Sequence, residues 1–210
     1  MTSSNGVYVC SLKTTRPQTI PADGKYHLVH FPFGDTGAVE SYDPFGMHPV
    51  RQPDGVDATH LLDRSALIWP HTNGWGTLTA LIHWKTPAPD GIFNRHRPTE
   101  YRDRFVRDPL NLATGYDSTA TETRPAQDNG PLLHKTHEIF VKPHVPLALM
   151  VRHNGRKPVD LELAELKLAI HPAATPPTTA SMRARPLRMR VPYTSLRLAL
   201  PAPGRAATRL

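Results

Sequence analysis

The stretch PLALMVRHNGRKPVDLELAELKLAIHP, Pro146–Pro172, decides how this chain folds. Leu147, Leu149 and Val151 alternate along it until a turn signal at His153–Gly155. Alternation resumes with Val159, Leu161 and Leu163, then with Leu166, Leu168 and Ile170. A period of two sends successive side chains to opposite faces, which is the signature of a half-buried strand. The second half also admits a helix, because Leu161, Ala164 and Leu168 share one helical face. Its short length, the prolines at Pro158 and Pro172 and the strand before it favour two short strands with a break near Ala164.

The same period recurs outward from there. KYHLVHF (Lys25–Phe31) follows a PADG turn signal, and GVYVCSL, EYRDRFV, YDSTATET and KTHEIFVK each read as a strand. ALIWPHTNGWGTLTALIHW places runs at Ala66–Trp69 and Thr77–Trp84 around a Gly/Asn turn at Asn73–Gly76. In the second run Leu78, Ala80, Ile82 and Trp84 share one face, while Thr77, Thr79 and His83 take the other. The total is about nine or ten short strands, separated by Pro/Gly/Asp-rich loops at 33–63, 86–99 and 124–132. The expected fold is therefore all-β: an antiparallel β-sandwich or jelly roll, with an extended C-terminal arm.

Charge divides the chain. All 18 acidic residues fall in residues 1–172 beside 18 of the 25 basic ones, so that part is neutral. Residues 173–210 carry the other seven basic residues, all arginine, and hold the whole net charge of +7. The expected organisation is a jelly-roll body, 1–172, and a basic Pro/Arg-rich arm, 173–210. A neutral body removes the case for a general nucleic-acid binder. The lone Cys10 excludes an internal disulfide and a cysteine-based zinc site, and is expected as a small buried hydrophobe. The N-terminus lacks a signal-peptide pattern, and no run approaches the ~18 apolar residues of a membrane span.

Motifs for chemistry are sparse. His134, His137 and Glu138 in HKTHE are three rather than four apart and lie on a strand, where the two imidazoles diverge. His27 and His30 in YHLVH fail as a pair by the same geometry. Ser118, with Asp117 and Glu122 nearby, lacks the glycine elbow of a hydrolase nucleophile. NGWGT is too short for a phosphate loop and has no lysine. No catalytic residue, metal or cofactor is assigned. Among the aromatics that could stack on sugars, Trp69 and Trp84 sit on strands and are expected in the core, with Tyr42, Tyr101 and Tyr116 also candidates. Trp75, in its turn, is the candidate exposed binding aromatic.

The stretches IPADGKYHLVHFPFGD, YDPFGMHPVRQPDG, SALIWPHTNGWGTLTALIHW, YRDRFVRDPL with TGYDSTATE, and the closing PLALMVRHNG and LELAELKLAIHP resemble structural proteins of tailed bacteriophages of actinobacteria. The closing strands are similar to those of trimeric jelly rolls of the tumour-necrosis-factor type. The resemblance implies a non-enzymatic virion protein with a body packed as a homotrimer.

In the arm, Arg183 and Arg185 precede an alternation of Leu187, Met189 and Val191 with Arg188 and Arg190. Tyr193 follows, and then Arg197 between Leu196 and Leu198. Extended, such a segment has one apolar and one cationic face, which suits docking on a neighbouring protein subunit better than free solvation or phosphate binding. The expected function is a capsid-decorating or minor capsid protein, synthesised in the host cytoplasm and located in the virion. Its expected partners are copies of itself and the major capsid or another virion protein; a membrane partner is not expected, and nucleic acid is disfavoured. Two alternatives stand beside it: a tail-fibre or baseplate module recognising host glycans, and a metal-dependent hydrolase using His134 and His137.

Overall fold

The computed structural model describes residues 6–85, 98–111, 117–125 and 130–173. Over these the chain forms ten strands. They are β1 (Tyr8–Thr14), β2 (Gln18–Ile20), β3 (His27–Leu28), β4 (Val39–Tyr42), β5 (Gly74–Trp84), β6 (Glu100–Arg107), β7 (Asp117–Pro125), β8 (Leu132–Val141), β9 (Leu147–His153) and β10 (Val159–Pro172). A first sheet runs β4-β1-β10-β5-β8, with β2 also pairing with β10; a second runs β3-β9-β6-β7. Every pairing is antiparallel. The chain crosses repeatedly from sheet to sheet, and its first strand lies beside its last. The fold is an antiparallel jelly roll, as the alternation implied.

Period-two patterning builds the core directly. Cys10 and Leu12 of β1, Leu78, Ala80, Ile82 and Trp84 of β5, and Leu166, Leu168 and Ile170 of β10 face inward from the first sheet. Tyr101, Phe105, Leu149 and Val151 meet them from the second. Cys10 is a free, buried thiol whose proton affinity burial pushes far up, so it is an inert core hydrophobe as expected. Trp69 is 4% exposed and Trp84 is fully buried, which places both in the core.

Local structure departs from the sequence expectation in three places. Ala66–Trp69 is not a strand: Leu62–Ala66 forms a 3-10 turn, and Ile68 makes a single bridge to Leu147. A continuous apolar run of this length is ambiguous by periodicity alone. Asn73–Gly76 is not a turn either, because β5 already begins at Gly74. Finally, the two strands expected across Val159–Ile170 are one strand of 14 residues, β10, with a register shift against β5 between Leu161 and Leu163. A bulge there switches the inward phase from Leu161 to Ala164 without ending the strand. The span 33–63 also contains β4 and an Arg51–Asp57 bridge. Of the body and arm expected from charge, 174–210 lies outside the described residues.

Four buried polar side chains tie the interior together. His48 is buried, with Nδ1 2.9 Å from the Leu67 carbonyl and Nε2 2.9 Å from that of Phe31, holding the long β4–β5 connection to the body. Lys135 of β8 and Asp103 of β6 form an ion pair across the two sheets, with side chains 3% and 2% exposed. The Lys135 ammonium also donates to the Asp103 backbone carbonyl at 3.1 Å. His153 accepts from the Gly155 N–H at Nδ1 and donates from Nε2 to the Ile20 carbonyl, each at 3.1 Å.

That arrangement requires a neutral imidazole. Burial pulls the His153 proton affinity below its ordinary 6.5, outweighing the bond to Ile20. The unfolded chain then binds the proton more tightly, so stability is complete above about pH 6.5 and declines as pH falls through the lowered folded value. His30, half-buried, shifts in the same sense, again because burial disfavours its charged form. Chemical-denaturation midpoints should therefore drop on acidification, and His153→Gln should leave a shallower but not flat slope. An unchanged slope would refute the assignment.

Candidate assembly surface

The outer face of the first sheet carries the side chains that strand alternation excludes from the core. Cross-strand register lays them out in rows. His171, Trp75 and Phe140 make one row, and Val9, Ala169, Thr77 and Glu138 the next. Tyr42, Ser11, Lys167, Thr79 and Thr136 follow, then Glu40, Lys13, Glu165, Leu81 and His134. Ser11, Thr77, Thr79, Thr136 and Ala169 on this face are short, while Lys167 and Glu165 of the central strand pair with each other. Its margins carry exposed apolar groups: Trp75 at 50%, Phe140 at 40%, Tyr42 at 64% and Leu132 at 62%.

Trp75 is exposed because its neighbours leave it no alternative. Gly74 and Gly76 point inward on either side of it, where the sandwich is too tight for any side chain. A Cβ on Gly74 would lie 2.3 Å from the His171 carbonyl oxygen, and one on Gly76 would lie 2.9 Å from Val141 Cγ1. The indole N–H donates to Glu138 Oε2 at 3.1 Å, which fixes the ring over the sheet. The sequence expectation of an exposed Trp75 holds, although a strand presents it and not a turn.

Two ion pairs form within this face. Lys13 pairs with Glu40 at 3.2 Å and Lys167 with Glu165 at 2.8 Å. The outer face of the second sheet is different: Arg102, Arg104 and Arg152 lie side by side there on β6 and β9. The Arg104 guanidinium sits 3.8 Å from the Tyr26 ring centre. A hydrogen bond from Arg102 holds Glu100 below the usual carboxylate range. Arg102 and Arg152 both pair with Glu100, at 2.6 and 3.5 Å, and Arg104 is only 7% exposed.

The histidine expectations divide. On β8, His134 lies in an outward row and His137 in the inward row opposite Leu78, so the two imidazoles diverge as the spacing implied. His27 and His30 do not diverge: β3 ends at Leu28, and both line one cleft of about 460 Å³ with Pro17, Pro21, Pro32 and Leu62. Each has a carboxylate beside it, Asp23 at 2.9 Å from His27 and Asp63 at 3.7 Å from His30. Among the described residues no three potential ligands cluster as a metal site, and no helix is long and apolar enough to cross a membrane. Tyr101, a candidate sugar-stacking residue by sequence, is buried against Trp84 at 4.8 Å between ring centres. Tyr116 and the arm positions Arg183, Arg185, Leu187, Arg188, Met189, Arg190, Val191, Tyr193, Leu196, Arg197 and Leu198 lie outside the described residues. The Lys135–Asp103 pair was not anticipated, although Leu133, Lys135, Ile139 and Val141 alternate in register and place the lysine on the apolar face.

No family model matches the chain, and no curated protein does. Among solved structures it is similar to Eiger TNF from S. frugiperda, with a TM-score of 0.46 and 12% identity over 81% of this chain and 97% of that one. It is also similar to murine APRIL at pH 5.0, with a TM-score of 0.46 and 10% identity over 79% and 99% of the two chains. Murine APRIL at pH 8.5 gives a TM-score of 0.45 and 10% identity over the same shares. These are remote likenesses in the course of the chain and bear on nothing finer.

Proposed function

We propose that this protein is a non-enzymatic structural protein whose jelly-roll body associates with copies of itself, as a trimer, through the outer face of the first sheet. The observation that carries this reading is the face itself: exposed apolar groups gathered on it, led by the pinned Trp75, with two ion pairs closed within it. Exposed apolar groups gathered on one face mark interaction surfaces, and most soluble oligomers are symmetric assemblies of identical copies. The sequence resemblance extends the reading to a virion, where such an oligomer would decorate or stabilise a capsid, with residues 173–210 as the arm that docks on a neighbouring subunit.

The oligomeric state tests the first part. Solution mass measurement should give a trimer, and Trp75→Glu should release monomers with an unchanged circular-dichroism spectrum. A monomeric wild-type protein at high concentration would overturn the proposal. Deleting residues 173–210 should leave a folded oligomer that no longer enters particles, whereas normal incorporation would refute the docking arm. Trp75 also supports a second reading. Its exposed ring beside the Glu138 acceptor could stack on a sugar, and Trp75-dependent binding on a glycan array would favour a receptor-binding module.

A further inference from the structure

The Lys135–Asp103 pair differs from every other ion pair described here: it is wholly buried, and it joins the two sheets. The remaining pairs hold at least one side chain that is a sixth or more exposed, as with Lys13–Glu40 and Arg64–Asp54. Apolar side chains stand beside this pair. Lys135 follows Leu133 on the inward row of β8, and the Phe105 ring centre lies 5.1 Å from its amine. A third group completes the set. Glu122 of β7 is directly opposite Asp103 of β6 in the strand register and is half-buried. Directly opposed residues on antiparallel strands share a face, so Glu122 is placed on the same inward side as Asp103.

We propose that Lys135 and Asp103 condense into an intramolecular amide that links β8 to β6, with Glu122 as the proton relay. The reaction needs an uncharged amine and an uncharged carboxylic acid. One proton passed across the contact, from the ammonium to the carboxylate, supplies both. The Lys135 nitrogen attacks the Asp103 carboxyl carbon and forms the C–N bond. Glu122 takes a proton from that nitrogen and returns it to a carboxyl oxygen. The C–O bond then breaks and one water leaves, so the product is an amide plus water with no net oxidation or reduction. Folding itself holds the two reactants in contact, which is the requirement that makes such a condensation accessible without an external enzyme.

Intact mass spectrometry of the denatured full chain tests this. The expected mass is lower than the sequence mass by one water, and protease digestion should release a branched peptide joining the Asp103 and Lys135 segments. Lys135→Arg should restore the full mass. Asp103→Asn should lose one ammonia in place of water, because the leaving group changes. Glu122→Gln should fold, with the cross-link absent or formed far more slowly. Wild-type protein that melts cooperatively yet carries its full sequence mass would overturn the proposal, as would a water deficit without the branched peptide. A Glu122→Gln variant that cross-links at the wild-type rate would overturn the relay.

Discussion

Replacing Lys135 with methionine is expected to destabilise the body by about 3–5 kcal/mol, the range for removing one partner of a buried ion pair. The cause is the group left behind. Asp103, at 2% side-chain exposure, would keep a carboxylate between the sheets without the Lys135 ammonium. Lys135→Met/Asp103→Leu should recover the charge component, since two apolar side chains need no compensation there. Whatever the double variant fails to recover against wild type measures the covalent link. Urea midpoints at neutral pH read all three, and a single variant as stable as wild type would contradict the description of the pair.

Trp84→Ala should be equally severe, costing about 3–5 kcal/mol as large-to-small aromatic substitutions in cores do. Trp84 spans the sandwich from β5. Its ring lies 4.8 Å from Tyr101 of β6 and edge-on to His153 of β9 at 5.8 Å, so its removal opens a void against two strands of the facing sheet. Domains of this size are held by about 5–15 kcal/mol, and such a loss brings the fold close to its limit. Trp84→Phe should retain much of the packing. Thermal melts of the two variants should separate clearly; equal melting temperatures would mean that ring contact across the sheets is not what Trp84 provides. Nine positions upstream on the same strand, Trp75→Glu is expected to lower the melt only by what dissociation of the trimer removes, leaving each monomer folded.

Those two tryptophans show what alternation makes legible and what it does not. The inward set Leu78, Ala80, Ile82 and Trp84 follows from period two alone. The start of β5 does not, because Asn73–Gly76 has the composition of a turn. The glycines are there for space, at positions where the His171 carbonyl and Val141 would meet any side chain. That crowding arises from strands almost a hundred and about sixty-five positions away, with no local trace. In β10 the change from odd to even inward positions is plain in the sequence, but a bulge and a chain break produce the same change. β2, β3 and β4 have two to four residues each, too few for any period to register. At the candidate surface, the exposure of Trp75 was legible and its row partners His171 and Phe140 were not, since register is a spatial fact. Lys135 on an apolar row was equally visible, but its partner 32 positions away was not.

The place of β10 has a consequence for how the protein is made. It is the last strand described, yet it sits at the centre of the first sheet between β1 and β5 and also holds β2. Until the ribosome has released it, β1 and β5 have no neighbour in common, and each presents a bare edge to other chains. Nascent chains stalled before Val159 are thus the species most exposed to cross-pairing, and completion of the fold waits for nearly the whole described sequence to be synthesised. A tag or truncation that delays β10 should lower yield through aggregation even where it touches nothing in the finished sandwich.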